Sequence, residues 1–146
     1  MQQGQRISAG ARLVGHIVLA AILFAAGVGH FRNTAEFTAQ VPPWMPGAEA
    51  VVYFSGVVEI ALAIALIVLP RQRALVGWIT AGFFIIIFPG NISQFVTQTD
   101  AFGLDSDAAR FIRLLFQPVL VVLALWSTNA WRDFRDRGGS KKVIQH

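Results

Sequence analysis

The sequence predicts an all-α integral membrane protein, a four-helix antiparallel bundle with both termini on the cytoplasmic side. Its composition, its long apolar runs and the placement of its basic residues predict this. Hydrophobic residues make up 55% of the chain and charged residues 14%, with a mean hydropathy of +0.57, too apolar for a soluble domain of 146 residues. The excess lies in residues 13–29, 51–69, 74–92 and 111–131, each close to the roughly 20 residues that cross about 30 Å of hydrocarbon. Lipid offers the backbone no hydrogen bonds, so such runs must be helices. A soluble bundle would need a polar outward face, and these segments have almost none. The length suits a single domain over 1–146, ending in a basic tail, 132–146.

The first span follows Arg6 and Arg12. A basic start before an apolar run ending in Phe24-Ala25-Ala26-Gly27 has the look of a secretory signal. The run is long for a signal core and contains His16, and an even number of spans suits the charges, so it is expected to be retained. Ala21, Ala25 and Gly29, four apart, predict a close-packing face. The connection FRNTAEFTAQVPPWMPGAE follows, where Pro42, Pro43 and Pro46 forbid a continuous helix and favour an extended path. Trp44 and Met45 between them form a stiff apolar lip, either an interfacial anchor or a lid.

The second span, VVYFSGVVEIALAIALIVL, places Glu59 about nine residues in, roughly 13 Å deep at 1.5 Å per residue. Gly56 and Ala63 share its face. The short linker PRQR predicts that the second and third spans are antiparallel neighbours. Gly77 and Ala81 give the third span a small-residue face. Pro89 removes the amide that would meet the Ile85 carbonyl, and in the fourth span Pro118 does the same to Leu114. Asp105, Ser106 or Asp107 is placed to cap the fourth helix.

Nine of the twelve Lys and Arg residues fall on one side: Arg6, Arg12, Arg71, Arg73, Arg132, Arg135, Arg137, Lys141 and Lys142. Arg32, Arg110 and Arg113 share the other with Glu36, Glu49, Asp100, Asp105 and Asp107. The positive-inside rule then puts both termini in the cytoplasm. The basic tail after a span reads as a topology anchor near anionic lipid, and no nucleic-acid partner is expected.

An ionised carboxylate facing lipid at the depth of Glu59 would cost several kcal/mol, so it should face the interior, hydrogen-bonded, protonated or paired. Arg110, Arg113 and Gln117 follow an i, i+3, i+7 pattern and form one stripe on the fourth span. Asn91 and Gln94 end the third span, and His30 ends the first. All belong to the outer half. Two readings stand: a polar network that fixes helix register, or an outward-facing pocket for a polar head group or a proton. His16, His30 and His146 are too scattered for a metal centre. Cysteine is absent, so the chain has no disulfide, thiolate site or dithiol relay. No nucleophile–base pair, phosphate loop, haem motif or nucleotide fingerprint is present.

The pieces AGVGHFRNTAEFTAQVPPWMPG, YFSGVVEIALAIALIVLPRQR, FPGNI and FIRLLFQPVLVVLALW, in that order, resemble the DoxX-like family of small four-span membrane proteins. The resemblance covers nearly all of residues 26–126; G-x-x-H-F, V-P-P-W-x-P and S-G-x-x-E carry it. It implies a bacterial-type inner membrane protein, as members of the family generally are, and the family takes its name from a subunit of a thiosulfate–quinone oxidoreductase. Other relatives are linked to oxidative-stress complexes or to assembly of membrane proteins. His30, Glu59, Asn91 and Gln117 fall on its motif positions, whereas Arg113 rests on the stripe alone. Without cysteine, a redox role needs a quinone or a partner subunit. The expectation is therefore an accessory component rather than a stand-alone enzyme. A quinone ring would lie among Phe and Trp, with its oxygens near Arg113, Gln117 or Glu59. The expected partners are the lipid bilayer and a protein partner or a second copy of the chain. An assembly scaffold that docks its partner through VPPWMP, and a small transporter or proton pathway that would need the chain to oligomerise, are the alternatives.

Overall fold

The computed structural model describes the backbone of residues 2–140 and the side chains of residues 8–138. Lys141, Lys142 and His146 lie outside the described residues, as does the side chain of Arg6. Every regular element described is helical: α1 (Gln2–Arg32), α2 (Thr34–Thr38), α3 (Ala48–Val68), a 3-10 turn (Pro70–Gln72), α4 (Arg73–Val96), α5 (Asp107–Ser127) and α6 (Ala130–Ser140). Four segments are long and apolar enough to cross a membrane: Ser8–Arg32, Ala48–Val68, Pro70–Val96 and Asp107–Ser127. Three of them outrun the apolar stretches that mark them, because a hydrogen-bonded helix does not stop where the hydrocarbon stops.

The fourth is shorter at its end than expected. It stops at Ser127, and Asn129 adopts a left-handed backbone (φ 59°), which asparagine tolerates better than most side chains. The chain then resumes as α6, so Trp131 belongs to α6 and most of the expected tail is helical. Trp131 and Phe134 hold α6 against α4, with ring centroids 6.4 and 5.9 Å from Trp78. The first connection also differs from expectation. Part of it folds into α2, and Asn33 and residues 39–47, around the prolines, depart from helix. Trp44 is 74% exposed, Pro43 and Pro46 are exposed, and Pro42 is buried. At the other acidic connection the Ser106 hydroxyl caps α5 by accepting from the Ala109 amide at 3.3 Å.

α1 packs along α3 and α4 along α5, while these two pairs touch each other less. The PRQR linker does bring α3 and α4 into contact, but neither is the other's main partner. A glycine crossing explains the preference of α1 for α3. A Cβ on Gly27 would lie 2.9 Å from the Gly56 carbonyl oxygen, and one on Gly56 would lie 2.7 Å from the His30 Cβ. Only glycine permits that approach. The expected face of Ala21 and Ala25 instead points outward, and both residues are exposed. The buried stripe of α1 runs through Leu19, Leu23, Gly27 and His30. Leu62, Leu66, Phe84 and Leu120 complete the core with Leu19 and Leu23. Ile64, Ile67, Leu75, Ile79 and Val122 are exposed, the distribution that a lipid surround makes favourable and water does not.

Candidate functional site

The helix pairs enclose a cavity of about 610 Å³, bounded by the second half of α1, the first half of α3, the second half of α4 and the first half of α5. Its walls are mostly apolar, with Leu23, Val58, Phe83, Ile87 and Leu120 among them. Six strongly polar side chains interrupt them: His30, Gln40, Glu59, Asn91, Arg113 and Gln117.

α3 delivers Glu59 through a buried face of Val52, Gly56, Glu59, Ala63 and Leu66. Because Gly56 has no side chain, α1 comes close enough for His30 Nδ1 to lie 3.1 Å from Glu59 Oε2. The same nitrogen is 2.8 Å from the Ala26 carbonyl, one turn back in α1. A carbonyl only accepts, so Nδ1 carries the hydrogen and aims it at Ala26. Glu59 is thus within ion-pair range of the imidazole, yet its Oε2 is buried with no hydrogen-bond donor. Glu59 is only 4% exposed, so this oxygen is an unmet acceptor inside the protein. Phe37 of α2 stacks on the His30 ring at 3.7 Å and fixes its plane.

Across the cavity Gln117 joins α5 to α4. Its amide donates to the Phe84 carbonyl at 2.8 Å and its oxygen accepts from Asn91 at 3.0 Å. Arg113, one turn nearer the start of α5, donates to Gln40 at 2.6 Å and lies 5.4 Å from the centroid of the Phe102 ring. Its Nε is buried without a partner. Arg113 and Glu59 interact electrostatically, but no ion-pair contact joins them among the described residues. One end of the cavity therefore holds an unmet donor on one wall and an unmet acceptor on another.

That end is covered. The Glu36 carboxylate accepts from the Phe102 amide at 2.6 Å, tying α2 to the 97–106 connection. Phe102 meets Phe37 edge-on at 4.8 Å, and Gln40 donates back to the Glu36 carbonyl at 3.2 Å. Pro42 and Met45 line the cavity while Trp44 faces away from it. Phe54 and Ile86 also line it, yet they are 71% and 75% exposed. The cavity therefore reaches the apolar surface where α3 and α4 make only limited contact.

Five of the expected site residues, His30, Glu59, Asn91, Arg113 and Gln117, meet around this one cavity. Arg110 does not. It sits about 4.5 Å nearer the start of α5, where Asp100 and Asp107 hold its buried guanidinium. Gln94 is buried beside the same connection and donates to the Thr99 carbonyl at 3.4 Å. Gln40 was not expected in the site, because it enters only through the fold of α2. A faint signal existed in its spacing four residues after Glu36.

Comparison with curated proteins returns no match, and neither does comparison with solved structures. The family model described as a domain of unknown function (DUF8561) matches residues 19–128, well over half of the chain and all of the cavity lining. The protein therefore belongs to that family.

Proposed function

We propose that this chain is a DoxX-like four-helix antiparallel bundle of a bacterial-type plasma membrane, with both termini cytoplasmic. In this reading it is an accessory component of a membrane redox system, and its cavity holds a quinone or a similar amphiphile. The observation that carries the reading is the pairing of an orphaned acceptor, Glu59 Oε2, with an orphaned donor, Arg113 Nε, at the polar end of an otherwise apolar cavity. A quinol head supplies both complements, a hydroxyl that donates to Glu59 and an oxygen that accepts from Arg113, with small adjustments of the two side chains; the carbonyls of a quinone meet Arg113 alone. Its ring suits Phe83, Phe84 and Phe116, and the seam beside Phe54 and Ile86 suits its tail. The volume lies in the range of small-molecule sites. When bound, a quinone supplies the electron-carrying chemistry that this cysteine-free chain lacks. The protein's share is to orient the head and keep water out.

The test is saturable binding of ubiquinone or menaquinone, each in its reduced quinol form, to the purified protein. Glu59→Gln and Arg113→Ala should each weaken it about tenfold, the worth of one charge-assisted hydrogen bond. Protein that binds no quinone, or variants that bind as well as the parent, would remove this reading. The exposure of Trp44 favours a second one, in which the VPPWMP loop docks a protein partner. Trp44→Ala should then abolish co-purification of that partner while Glu59→Gln leaves it intact.

A further inference from the structure

A second cavity, of about 320 Å³, lies at the opposite end of the long helices, beside the PRQR linker. The start of α1, the end of α3, Arg73 and Asn129 form its walls. Its chemistry is unlike that of the first. Arg12 and Arg73 both line it, and neither guanidinium has an ion pair or hydrogen bond among the described residues. Two like charges in one cavity repel each other, and an anion between them would replace that repulsion with attraction. Two further polar groups of the cavity are unmet acceptors, which phosphate oxygens cannot satisfy but the hydroxyls of a lipid headgroup can. His16 holds the Leu66 carbonyl through Nε2 at 2.7 Å, so that nitrogen carries a hydrogen, and its Nδ1 is buried without a partner. The Asn129 side-chain oxygen, in the left-handed turn before α6, is likewise buried and unpartnered. Leu13, Ile17 and Ile67 line the cavity and are largely exposed, so its rim is apolar.

We infer that this cavity binds a phosphate group between Arg12 and Arg73. Arginine suits phosphate because its planar fork donates two parallel hydrogen bonds. A free anion would leave the rim unused, whereas the phosphate of an anionic phospholipid would lay its acyl chains along Leu13, Ile17 and Ile67. The rim therefore favours the lipid. Arg12, His16 and Asn129 lie outside the segment matched by the family, so this site does not restate the first cavity.

The experiment places the full-length protein in nanodiscs of equal parts phosphatidylcholine and phosphatidylglycerol, then identifies the lipid retained after detergent extraction by native mass spectrometry. A second arm measures the thermal shift given by inorganic phosphate in a zwitterionic detergent. Wild-type protein should retain phosphatidylglycerol over phosphatidylcholine. Arg12→Ala with Arg73→Ala should lower that retention at least about tenfold, and the double lysine variant should lose less. A thermal shift with phosphate that vanishes in the double alanine variant, without lipid retention, would keep the anion site and assign it to the free ion. Equal retention of both lipids with no phosphate shift overturns the proposal. So does retention that the double alanine variant, still helical by circular dichroism, does not change.

Discussion

At the scale of single residues, Gln117 shows how a polar side chain in a span can serve structure and site together. Its two hydrogen bonds, to Asn91 and to the Phe84 carbonyl, close the α4–α5 side of the cavity. Gln117→Leu keeps much of the volume but leaves Asn91 without its acceptor. The expected cost is about 1 kcal/mol, read as a lower unfolding midpoint in a denaturing-detergent titration; an unchanged midpoint would show that the clasp adds no stability. Glu59 and Gln117 were legible in the sequence because a polar group deep in an apolar run must face inward. Arg110 was not, since helical spacing gives an angle around the axis and says nothing of the acidic partners waiting at the start of α5 and in the connection before it. Gln40 was hidden for a related reason: residues in a connection have no periodicity to read.

At the scale of elements, the crossing of α1 and α3 at Gly27 and Gly56 decides where His30 meets Glu59. A methyl group at Gly56 would press on the His30 Cβ at 2.7 Å, on Phe31 at 2.9 Å and on the Gly27 carbonyl at 3.1 Å. Gly56→Ala should therefore push the helices apart and destabilise the protein by about 1–3 kcal/mol. Gly82→Ala is the control, because nothing lies within 4 Å of its added carbon. It should be neutral or slightly stabilising, as alanine favours helix over glycine by up to about 1 kcal/mol. Matching midpoints for the two variants would contradict the crossing. The spans themselves were legible from hydropathy, and the buried face of α3 from Glu59 and its small neighbours. The face of α1 was not. Ala21, Ala25 and Gly29 have the right interval, but so does the series through Leu19, Leu23 and Gly27, and only the partner helix chooses between them. α6 escaped notice because its polar sequence carries no span signal, and its aromatic anchor, Trp78, lies on a distant part of the chain.

At the scale of the whole molecule, the basic residues predict which end faces the cytoplasm, and the absence of cysteine makes the test direct. A single cysteine at Trp44 should react with a membrane-impermeant thiol reagent in intact cells, and one at Gln72 only after permeabilisation. The reverse pattern would invert the proposed orientation. The arrangement of the helices has a mechanical consequence as well. Because α1 grips α3 and α4 grips α5 more extensively than the two pairs grip each other, the molecule is built like two leaves joined by the PRQR linker and by the contact of α1 with α5. The lesser contact of α3 with α4 makes the side of Phe54 and Ile86 the place where the leaves would part most easily, and a molecule lodged there would act as the fastener that keeps the book shut.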